Sequence, residues 1–124
     1  MTLVCRGLRA ATTARANTKE AILEATREML ERLVEANGLQ KDSIAAAIFT
    51  TTRDLNAEFP AVAARQMGWE HVALLDSHEM DVPNAMPSCI RALVLVNTEM
   101  QAHELVNVYL RGAVNLRARG MEDR

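Results

Sequence analysis

Arg91 lies in the middle of the most apolar stretch of the chain, Ser88-Cys89-Ile90-Arg91-Ala92-Leu93-Val94-Leu95-Val96. Arginine stays charged in proteins, and stripping a buried charge of its partner costs about 3–5 kcal/mol. An anion has to meet it, either a side-chain carboxylate or an anionic ligand. Glu79 and Asp81 are the internal candidates, both in the acidic segment Asp76-Ser77-His78-Glu79-Met80-Asp81-Val82-Pro83-Asn84 just upstream. Arg9 and Tyr109 add further donors, and together such a set suits a polyanion. Taken singly, Arg9 and Arg65 read as solvated surface residues and Tyr109 as a core ring with a satisfied hydroxyl. Pattern alone leaves both readings open.

Other chemistries lose ground one by one. His71, His78 and His103 show neither an H-x-x-x-H spacing nor a nearby cysteine, so they read as surface histidines rather than zinc ligands. The sequence has no G-x-S-x-G, Walker or G-x-G-x-x-G pattern, and nothing marks Cys89 as an activated thiolate. A net charge of −2 without a run of Lys or Arg gives no electrostatic footprint for nucleic acid or for a membrane surface. No segment is apolar for long enough to span a bilayer as a helix. Cys5 and Cys89 lie far apart, and the N-terminus lacks the apolar core of a signal peptide, which makes a reducing cytoplasm the expected compartment.

The elements that position these residues belong to one small mixed α/β domain over residues 1–124, with a loose tail from about 118. A chain of 124 residues buries roughly two thirds of its unfolded surface, which leaves little for a private enclosed cavity. A pocket forms more easily between subunits. Thr2 to Leu8 reads as a strand with Arg9 at its end and Thr12-Thr13 as the turn beyond. Asn17-Thr18-Lys19-Glu20 places a capping residue three positions before a Glu, and Ile22, Ala25, Met29, Leu33 and Ala36 then recur at helical spacing up to Asn37-Gly38, which predicts a helix with one buried face. Glu28 and Arg32 fall at i,i+4 on its outer side. Ile44 to Thr50 reads as a second strand, Phe59-Pro60 opens a short helix closed by Gly68, and Val72 to Leu75 is a third strand. The acidic segment is then a loop leading into the long strand that carries Arg91. A helix ending between Glu104 and Asn107 and a last strand over Val108 to Leu110 complete the reading.

Several motifs in one collinear order resemble the AroH class of chorismate mutases. They are Arg6-Gly7-Leu8-Arg9 with Ala11-Thr12-Thr13, Asp54-Leu55-Asn56-Ala57-Glu58-Phe59-Pro60-Ala61, Arg65, Gly68-Trp69, Glu79-Met80-Asp81-Val82, Cys89-Ile90-Arg91, Val108-Tyr109-Leu110 and Leu116-Arg117. The resemblance covers nearly the whole chain. It implies a homotrimer of small α/β protomers, each a mixed sheet with helices on one face, the sheets forming a barrel-like core and the active sites lying in clefts between subunits. The reaction it implies is the [3,3] rearrangement of chorismate to prephenate, with no cofactor and no covalent intermediate.

By the same resemblance Arg91 donates to the breaking ether oxygen and to one carboxylate, Arg9 and Tyr109 bind a carboxylate, and Glu79 accepts from the ring hydroxyl. Phe59, Ala61, Leu74, Leu75 and Leu116 would line the cleft, Asp76, Ser77 and His78 would sit beside the substrate, and Arg65 and Arg117 would guard the mouth. Asp76 stands where some relatives carry cysteine, and a second carboxylate there would oppose a dianion unless protonated, paired or turned outward. Ala10 stands in place of a usual glycine and Ala118 in place of a usual proline. Two other readings fit the same outline: a non-catalytic anion-binding trimer, and a hydrolytic trimer of the imine-deaminase type.

Overall fold

The computed structural model describes residues 2–116; Arg117, Ala118 and the expected tail lie outside them. Strand β1 (Val4–Thr13) is followed by helix α1 (Lys19–Asn37), strand β2 (Ile44–Thr51), helix α2 (Ala61–Gln66), and strands β3 (Ala73–His78), β4 (Cys89–Thr98) and β5 (Val108–Tyr109). They form one five-stranded sheet in the order β3-β2-β4-β1-β5. β4 runs antiparallel to both β1 and β2, whereas β2 and β3, and β1 and β5, pair in parallel.

Helix α1 begins where Thr18 turns its hydroxyl back to accept from the Ala21 amide at 3.1 Å, and it ends where Gly38 takes the left-handed conformation at φ 59°. Between those caps Ile22, Ala25, Met29, Leu30 and Leu33 are buried at helical spacing and pack on Leu8, Ala10, Ala47, Phe49, Ile90, Ala92, Val94 and Val96 of the sheet. The alanines among the strand residues let a helix lie close with few aromatic rings in the core.

Both helices join this cluster, so they cover one face of the sheet and leave the other bare. Alternation along the strands decides which residues fall where. Leu8, Phe49, Val94 and Val96 face the helices and are buried, whereas Arg9, Leu75, Arg91 and Leu93 point the other way. A register shift between Ile44 and Ala46 lets both Ile44 and Ala47 turn inward from β2.

Several boundaries differ from the sequence reading. β1 runs through Thr13 because its ladder with β4 continues to Cys89, which puts Arg9 within the strand and makes Thr12-Thr13 strand rather than turn. β3 extends to His78 because β2 offers a parallel partner as far as Thr51, so Asp76, Ser77 and His78 lie in a strand and not a loop. The expected helix ending at Glu104 to Asn107 is a 3-10 turn over Ala102–Glu104, held by a reciprocal cap between Gln101 and Glu104. Leu110 falls just past the short β5. No helix among the described residues is long and apolar enough to cross a membrane.

Candidate active site

Arg91 is less buried than its apolar neighbours suggest. It belongs to the bare-face half of β4, and its side chain keeps 47% of its surface exposed. The anion it needs is Glu79. Nε of Arg91 donates to Glu79 Oε2 at 2.9 Å and Nη2 approaches Oε1 at 2.7 Å, a two-point fork that fixes the plane of the guanidinium. Asp81, the other internal candidate, takes no part in this pair.

Two backbone arrangements bring the pair together. The Glu79 amide donates to Thr51 O at 2.8 Å, extending the β2–β3 pairing one step beyond the end of β3. Thr50, directly opposite Arg91 across β2 and β4, donates its hydroxyl to Glu79 Oε2. The Arg91 hydrogen bonds hold the Glu79 carboxyl below the usual glutamate range against the opposing effect of burial, with Thr50 assisting. The same hydrogen bonds raise Arg91 further above its usual value. No described residue engages Nη1 of Arg91, and the cation keeps donors free on that side.

Arg9 and Tyr109 share the bare face with this pair. Ala11 pairs with Arg91 on one side and with Tyr109 on the other, so the three stand in one row. Arg9 lies opposite Leu93, one pleat along on the same face, and no described residue pairs with its guanidinium. Its amide donates to Asn107 Oδ1 at 2.8 Å, which joins β1 to the segment entering β5. Leu75 and Ser77 continue the bare face on β3, opposite Ile48 and Thr50, with Leu75 60% exposed.

The remaining predicted residues lie on the helix side. Leu74, Asp76 and His78 alternate onto that face of β3. Asp76 does not stand free toward a ligand: its Oδ1 accepts from the Ala61 amide at 3.0 Å and so caps the start of α2. Burial raises its pKa, while that backbone bond and nearby Arg65 partly offset the effect. His78 places Nδ1 3.1 Å from the Thr51 hydroxyl. Ala61 is fully buried, whereas Phe59 is 64% exposed just before α2 and Arg65 is exposed upon it. Leu116, half-buried, is the last described residue, and Arg117 lies beyond.

The predicted residues therefore form two groups on opposite faces of one sheet. Arg9, Leu75, Ser77, Glu79, Arg91 and Tyr109 lie on or beside the bare face, spread across it from β3 to β5, and the Phe59, Ala61, Arg65, Leu74, Asp76 and His78 group sits around α2. Sequence reasoning missed Thr50, whose role depends on cross-strand register. It also missed Asn37 and Arg111, whose partners lie far away in the chain. Glu28 meets Arg111 at 3.0 Å rather than Arg32 of its own helix.

Fold and site together define a small α/β protein with a preorganised guanidinium beside an uncovered sheet face. The family model for chorismate mutase type I matches residues 5–119. Chorismate mutase AroH of Thermus thermophilus is 50% identical over 113 residues, covering 90% of this chain and 93% of that protein. Chorismate mutase AroH of Bacillus subtilis is 36% identical over 116 residues, covering 93% and 91%. A solved chorismate mutase from Clostridium thermocellum superposes with a TM-score of 0.86 at 44% identity, covering 87% of this chain and 96% of its own. The chain belongs to the chorismate mutase type I family.

Proposed function

We propose that this protein is a chorismate mutase, an isomerase that converts chorismate to prephenate on the route to phenylalanine and tyrosine. The observation that carries the reading is the half-exposed Arg91 guanidinium, locked in orientation by Glu79 and flanked by Arg9 and Tyr109. Family membership supports it.

The rearrangement breaks one C–O bond as one C–C bond forms, in a single step. The protein assists by holding the compact conformer and by stabilising the charge that grows on the ether oxygen. Arg9 and the Tyr109 hydroxyl bind a substrate carboxylate. Arg91 turns its remaining donors toward the ether oxygen and the other carboxylate, and because Glu79 fixes its plane beforehand, little reorganisation is needed as charge develops. The Glu79 carboxylate has lone pairs beyond those used by Arg91 and Thr50, and one accepts from the ring hydroxyl.

The division of the site between two faces supports a homotrimer with shared active sites. One protomer's bare face, with its arginines and Tyr109, meets the α2 side of a neighbour, whose Phe59, Leu74 and Arg65 complete the cleft. Leu116 and Arg117 close it. Leu75 and Leu93, exposed in the single chain, are covered in such an assembly. Asp76, turned away as the cap of α2, spares the dianion a repulsive neighbour. We place the protein in the cytoplasm, with Cys5 and Cys89 as free thiols. Mixing purified protein with chorismate and following loss of its absorbance together with prephenate formation tests the activity. Binding without conversion would favour the anion-binding trimer, and ammonia release from an enamine would favour the deaminase.

A further inference from the structure

β5 is a strand of two residues, and its ladder to β1 consists of Val108 opposite Ala10 and Tyr109 opposite Ala11, followed by the Leu110 amide donating to Ala11 O at 2.9 Å. So short a ladder fixes a side chain poorly, because little backbone is paired against a large loss of chain freedom. The chain is held on both sides of it by helix α1.

Upstream, the buried Asn37 at the end of α1 accepts from the Val106 amide at 2.8 Å and donates to its carbonyl at 2.9 Å, imitating a strand partner with a side-chain amide. Downstream, Arg111 donates through Nε to Glu28 at 3.0 Å and through Nη2 to Glu24 at 3.4 Å, both carboxylates being on α1. Its Nη1 reaches Thr13 O at 3.4 Å. Arg111 stands at φ 52°, a left-handed conformation that a residue with a side chain adopts only when its surroundings impose it. Beside it Gly112 donates to the Thr13 hydroxyl at 3.1 Å, and a Cβ there would lie 3.0 Å from Thr13 Cγ2, so the chain is pressed onto the end of β1.

We infer that Arg111 is a positioning residue for Tyr109: the grip of Glu28 and Glu24 on its guanidinium, just past β5, sets where the Tyr109 hydroxyl stands. The upstream hold is a buried amide and is rigid, whereas the downstream hold is made of partly exposed ion pairs and is the adjustable one. The inference rests on the reading above only in giving the Tyr109 hydroxyl a substrate carboxylate to meet.

Tyr109 is the sole tyrosine of the chain, so isotopically labelled tyrosine yields a single ring signal that reports this position. Arg111→Gly removes the guanidinium and leaves the left-handed backbone at ease, and Glu28→Gln removes the nearer carboxylate charge while leaving Arg111 in place. Glu24 is less informative because Arg15 shares it. Both variants are expected to shift the tyrosine signal and to raise KM for chorismate by about two- to fivefold with kcat little changed, the scale of a partly exposed ion-pair network. An unmoved tyrosine signal in both variants overturns the inference. So does a moved signal with unaltered KM, and so does a raised KM without a moved signal, which would make Arg111 a direct contact. If the wild-type protein does not convert chorismate, the mutase reading fails and the tyrosine signal alone decides the positioning role.

Discussion

The two faces of the sheet use the same strands for opposite purposes. On β4, Val94 and Val96 are sealed under α1, while Leu93 next to them is 39% exposed and Arg91 keeps about half of its surface. The covered face holds the apolar packing that makes the fold. The uncovered face holds the charges, and its leucines remain exposed in the single chain. The chemistry proposed for Arg91 is thereby kept apart from the packing that sustains the scaffold, and each can be altered with little effect on the other.

The most damaging test of that separation is Phe49→Ala, which empties a fully buried position and should destabilise the protein by about 3–5 kcal/mol in a denaturant titration. Arg91→Lys should shift that titration far less than Phe49→Ala and lower kcat by about 10²-fold or more, because an ammonium cannot reproduce a planar fork held by Glu79 and, as proposed, turned toward the substrate. A variant with near-normal turnover would contradict the role given to Arg91. Leu93→Asp should preserve the far-ultraviolet circular dichroism and dissociate the proposed trimer in sedimentation, since only the uncovered face is altered. An unchanged sedimentation coefficient would place the subunit contact elsewhere.

Acid provides a finer test. Glu79 titrates below the ordinary glutamate value near 4.5 because Arg91 and Thr50 stabilise its charged form. The stabilisation it contributes is present above that value and is lost as the pH falls through the lower, folded one. Glu79→Gln should therefore narrow the stability difference between neutral and acid solution relative to the wild type. Asp76 behaves in the reverse sense, since burial raises its pKa and the charge weakens the fold once the pH exceeds both its unfolded and folded values. Asp76→Asn can still accept from the Ala61 amide, so a small rise in Tm at neutral pH is expected. A fall would show that the charge itself serves α2.

How much of this could be read from the chain depended on how local each cause was. Helix α1 was legible because the capping segment Asn17 to Glu20, the spaced apolar residues and Gly38 all lie within the stretch they define, although the cap is Thr18 rather than Asn17. The Arg91–Glu79 pair was legible as one of two open readings, since a cation in an apolar run demands an anion. The length of β1 and β3 was not, because Thr13 and His78 are strand residues only by virtue of partners at Cys89 and Thr51. Asp76 looked like a loop acid beside the ligand for the same reason. Once parallel pairing makes it a strand residue, alternation turns it toward α2. Arg111 carried no local signal, as its carboxylates lie on a helix early in the chain.

The brevity of β5 has a second consequence. A long, straight strand at the β1 margin would present a row of unsatisfied amides and carbonyls, an invitation to edge-to-edge fibril growth in a protein that already bears uncovered leucines. A two-residue strand that breaks off into a left-handed turn at Arg111 offers no such row itself, but it pairs only Ala10 and Ala11 and leaves Val4 to Leu8 of β1 without a strand partner on that side among the described residues. The margin open to a further strand is therefore the first half of β1, and its length follows from where β5 stops.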